Sequence, residues 1–118
     1  MKENYGTIQY KEKEYKLVFN LNVMETIQEE YGTLDAWAEL TDGTIKEEPD
    51  AKAVIFGFTE MINEGIEIDN EENGTDTKPF THKQVGRIIS EVGMVEATKT
   101  MNETVIDSTK SDDDSKNE

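Results

Sequence analysis

The stretch "FNLNVMETIQEEYG", residues 19–32, decides how this chain folds. It reads as the end of a strand, the start of a helix and a glycine stop. Asn20 or Asn22 can cap the helix by accepting a hydrogen bond from its unpaired backbone amides. Val23, Met24, Ile27 and Tyr31 then share one helical face, while Glu25, Glu29 and Glu30 project elsewhere. Gly32 suits the left-handed conformation that ends many helices.

Upstream, "TIQYKEKEYKLVF" alternates apolar and polar residues on both sides of a charged "KEK". Alternation puts Ile8 and Tyr10, then Tyr15, Leu17 and Phe19, on single strand faces, which predicts a β-hairpin. Two strands rarely persist alone in water, so the hairpin must lean on helices. Downstream, Leu34, Trp37 and Leu40 predict a short helix followed by Gly43. In "EEPDAKAVIFGFTEMINEG", Asp50 is the expected N-cap and Gly65 the expected stop. Val54, Ile55, Phe58, Met61 and Ile62 form its stripe, and Phe56 lies nearly opposite. That position fits a helix packed on both sides or an exposed aromatic anchor.

Residues 66–79, "IEIDNEENGTDTKP", read as an acidic loop. Thr81 and Gln84 have capping-box spacing, and Val85, Ile88, Ile89 and Val92 give the next helix its core face up to Gly93. Met94, Ala97, Met101 and Val105 form a thinner stripe for a last helix. The expectation is an α+β domain over residues 1–106, an N-terminal hairpin packed on about four helices. Residues 107–118 are expected to form a disordered acidic tail.

The net charge of −15 disfavours contact with nucleic-acid phosphates or anionic lipid. It leaves open an acidic protein that mimics DNA. The absence of cysteine excludes disulfides and thiolate chemistry. No apolar run suggests a signal peptide or membrane span, so a cytoplasmic protein is expected. The chemistry-bearing candidates are sparse. In residues 69–80 an EF-hand-like calcium loop would use Asp69, Glu71 and Asn73 with Gly74, and Asp76 nearby. Its twelfth position is Phe80, where a bidentate carboxylate is needed. His82 has no partner in a nucleophile motif. Arg87, the sole arginine, is expected to pair with acidic neighbours. No metal, cofactor or enzyme activity is assigned.

The order of parts carries one resemblance. The hairpin "IQYKEKEYKLVFNLN" runs into "VMETIQEEYG", then "AVIFGFTEMINEG" and "FTHKQVGRIISEVG". Over residues 7–93 this resembles the small tail assembly chaperones of long-tailed phages and prophages. The matching positions are Lys13, Tyr15, Leu17, Phe19, Leu21 and Asn22, then Thr81, Val85, Gly86, Ile88 and Ile89. Glu12 departs from the pattern, where the family often has a turn glycine. The resemblance implies a non-enzymatic protein of the host cytoplasm, absent from the finished virion. It would bind the tape-measure protein, with tail tube subunits as a second partner, and keep it soluble until the tube polymerises. On that reading the partner-binding candidates are Trp37, Phe56, Met94, Met101 and Val105. The alternatives are an acidic DNA-mimic inhibitor and a calcium-responsive module.

Overall fold

The computed structural model describes residues 5–42 and 48–116, with side chains described as far as Thr109. Gly43 lies outside the described residues. The element order is β1 (Tyr5–Tyr10), β2 (Lys13–Val18), α1 (Leu21–Tyr31), α2 (Leu34–Thr41), α3 (Ala51–Asn73), α4 (His82–Val92) and α5 (Met94–Lys116). The expected α+β architecture holds, with α2 as a helix of its own.

The strands pair antiparallel from Tyr5 opposite Val18 to Tyr10 opposite Lys13. This register puts Gly6, Ile8, Tyr15 and Leu17 on one face, and Ile8 and Leu17 are buried there. The turn residues Lys11 and Glu12 have φ of 51° and 65°, the left-handed pair of a type I′ turn. Two side-chain-bearing residues are thus held where glycine or asparagine is favoured. Asn20 caps α1, its side chain accepting from Val23 N at 3.2 Å.

Helix α3 is the central post, touching β2 and each of the other four helices. Its N-cap is Asp50, as expected, but Gly65 does not end it. The helix continues to Asn73 and stops at Gly74, which is left-handed with φ of 69°. Gly65 serves packing instead. A Cβ there would stand 2.6 Å from the Lys16 carbonyl oxygen, so its absence lets β2 lie on the helix backbone. Ile66 extends the buried stripe past it. The acidic loop expected at 66–79 is therefore helix up to residue 73.

The shorter connection that follows is fastened to α3 by two asparagines. The Asn63 carboxamide donates to Phe80 O at 2.9 Å and accepts from Phe80 N at 2.8 Å. Asn70 does the same with Thr77, at 2.9 and 3.1 Å. Each pair satisfies backbone groups that no strand or helix partner serves. The chain then enters α4 through a complete Thr81–Gln84 capping box.

Ala97, Met101, Thr104, Val105 and Ser108 are buried along α5. Packing thus continues beyond residue 106, and the helix runs on to Lys116 through residues expected to be an irregular tail. Once a helix is nucleated by packing, each added residue contributes one further hydrogen bond. Residues 117–118 of that tail lie outside the described residues.

Trp37 is the largest fully buried side chain. Its indole Nε1 donates to Ala53 O at 2.9 Å. The ring lies on Gly57, where a Cβ would overlap Cζ2 and stand 2.8 Å from Cε2. Gly57→Ala is expected to destabilise by about 1–3 kcal/mol through overpacking, against a helix-propensity gain of roughly 1 kcal/mol. A urea melt reads the difference. Replacing the turn pair by Lys11→Asn with Glu12→Gly should instead stabilise by about 1 kcal/mol, read as a higher urea midpoint at unchanged slope.

Candidate functional site: a basic trough between α3 and α4

The expected partner-binding residues do not form a surface. Trp37 and Met101 are fully buried and Val105 is 7% exposed, so all three belong to the core. Met94 is half-buried against that core. The helical spacing that exposed these residues as a pattern could not say which side of each helix faces inward. Phe56 is half-buried, between Tyr31 at a 5.5 Å centroid distance and His82 at 6.1 Å. It joins α1, α3 and α4 in an aromatic row.

The calcium-loop candidates are likewise redistributed. Asp69 and Asn73 stand one turn apart on the last turns of α3, but Glu71 between them projects from the opposite side, so the three cannot converge on one ion. Asp69 bonds Lys16 Nζ at 3.2 Å, and Asp76 lies in the following connection. Among the described residues no group of three or more acidic, histidine or cysteine side chains could hold a metal ion.

The structure assembles a different constellation. Val85, Ile88 and Ile89 hold α4 on the core, which leaves its opposite edge beside α3. Between the two helices lies an open trough of about 1110 Å³ lined by Lys52 and Ile55 of α3 and by His82, Lys83, Gly86, Arg87, Ser90 and Glu91 of α4. Lys83, Arg87 and Glu91 succeed one another at one-turn intervals. Arg87 also borders a smaller cleft of about 330 Å³ against the hairpin, beside Tyr15 and Phe80. Those two rings meet edge to face at 5.2 Å.

The expected pairing of Arg87 with an acidic neighbour is not made. Among the described residues none of Lys52, Lys83 and Arg87 is in an ion pair within 4.0 Å. A chain of net charge −15 thus places its sole arginine, its sole histidine and two lysines around one depression. Nothing in the sequence brings Lys52 to Lys83 and Arg87, because only the packing of α3 on α4 does so. No helix among the described residues is long and apolar enough to cross a membrane.

Glu60 is half-buried on α3. Burial pushes its carboxyl up from the ordinary glutamate value, Glu64 adds to that, and His82 opposes both. A raised folded value means that this group's contribution to stability is complete below pH 4.5 and is lost as the pH rises through the folded value. Glu60→Gln is therefore expected to raise Tm at pH 7 by about 2 °C, allowing for solvent screening. The gap should close as the pH falls towards the ordinary glutamate range, in parallel melts of both proteins. No protein-family model, curated protein or solved structure matches the chain.

Proposed function

We propose that the protein is a non-enzymatic tail assembly chaperone of a long-tailed phage or prophage. It binds the tape-measure protein and keeps it soluble in the host cytoplasm until the tail tube polymerises. Tail tube subunits are its second partner. One observation carries this reading: the separated segments that bear the resemblance fold around a single core. Leu17 and Phe19 from the hairpin region meet Val85, Ile88 and Ile89 from α4 in one buried cluster. These apolar members of the matching set share one core, while Lys13, Leu21, Asn22 and Thr81 lie at the surface.

Physical chemistry supports the assignment. A tape-measure protein presents long amphipathic helices, which aggregate unless their apolar stripes are covered. A partner with net charge −15 keeps the complex soluble by self-repulsion.

A second reading, an acidic DNA mimic, is favoured by the exposed carboxylates Glu25, Glu29 and Glu30 on α1 and Glu67, Glu71 and Glu72 on α3. The two readings separate by salt. Co-expression with the tape-measure protein of the same genome should move that protein into the soluble fraction and give a complex that survives about 0.5 M NaCl, where the Debye length is under 5 Å. A tape-measure protein that stays insoluble and uncaptured would overturn the chaperone reading. Binding to a nuclease or repressor, lost over the same salt range, would put the DNA mimic in its place.

A further inference from the structure

We propose that the trough between α3 and α4 is the docking site for a partner helix whose apolar stripe is flanked by carboxylates. The inference rests on the chaperone reading for the partner's identity, while its geometry belongs to the trough alone. Lys83 and Arg87 stand one turn apart on one wall, with Lys52 on the other. A helix lying between them with acidic residues at one-turn spacing meets cations on both sides. Helix α4, at 11 residues, offers a wall about 16 Å long, enough for some three turns of a partner.

The overall charge of −15 opposes this only at long range. At physiological salt a charge is felt over about 8 Å, so a carboxylate in the trough responds to the three cations beside it more than to distant acidic residues. Glu91 lines the same trough and leaves it net positive. An acidic helix is thus attracted locally by a protein that repels it at long range.

Gly86 adds an independent observation. It has no positive φ, and a Cβ there would meet only Ile55 Cδ1, at an ordinary 3.7 Å. Neither the backbone nor the internal packing requires glycine, although glycine costs roughly 1 kcal/mol in a helix interior. Beside Ile55 it leaves the trough floor low enough for a second helix backbone to approach closely.

The test uses two synthetic amphipathic peptides of about five helical turns with the same leucine stripe, one flanked by Glu and one by Lys. Fluorescence anisotropy reads their binding to the full chain at 0.15 M salt. The Glu peptide should bind at least about tenfold more tightly than the Lys peptide, although the net charge alone favours the latter. Lys83→Glu with Arg87→Glu, both at exposed positions, should weaken the Glu peptide by about tenfold or more with an unchanged melt. Gly86→Ala should raise Tm yet weaken binding severalfold, which a loss of fold cannot explain.

Failure of the wild-type protein to bind the Glu peptide, equal or tighter binding of the Lys peptide, or indifference to the charge reversal would overturn the proposal. Capture of the tape-measure protein separates this from the broader reading. Capture undiminished in the double variant removes the trough and keeps the chaperone. Charge-dependent peptide binding without capture keeps the trough and removes the chaperone.

Discussion

The whole arrangement depends on how closely β2 approaches α3. The Lys16 carbonyl lies on the backbone of Gly65, so strand and helix meet without side chains between them. A two-stranded sheet has little stability of its own. Here it borrows rigidity from a helix that also supports every other helix. The Lys16–Asp69 bond one turn further on closes the same seam, although both side chains are more than a third exposed and the pair adds little. With the hairpin seated, Ile8, Leu17 and Phe19 become part of one core with Val54, Phe58 and Ile62.

Much of this was open to sequence reasoning where a local rule had no competitor. Strand alternation gave the hairpin, a cap at Asn20 or Asn22 gave the start of α1 to within two residues, and Thr81 with Gln84 gave the start of α4. The length of α3 was missed because glycine has two uses. Gly65 resembles a stop but serves close packing, whereas the stop is Gly74. The polar run after Gly65 looked like a loop because its only buried apolar residue is Ile66. Helical propagation from a packed stem carries such a run further than its own composition suggests.

The site was harder to read for a different reason. Aromatic and methionine residues were conspicuous, and burial claimed the largest of them, as it does in most small domains. The unusual feature is where the few cations stand. Lys52, Lys83 and Arg87 are unremarkable surface residues one at a time, and become a constellation only through the packing of two helices. That packing is set by Val85, Ile88 and Ile89, which touch none of the chemistry themselves.

The paired bonds of Asn63 and Asn70 have a consequence for motion. Each carboxamide grips the backbone of the segment leading into α4 through both its donor and its acceptor. Unwinding the distal turns of α3 therefore releases the entry to α4, and release of that entry strands two carboxamides on a helix face. The bonds thus couple the distal turns of α3 to the entry of α4 against local opening. The α4 wall of the trough begins at this junction, whereas Lys52 and Ile55 of the facing wall stand on the first turns of α3, so the two walls are anchored at different places in the fold.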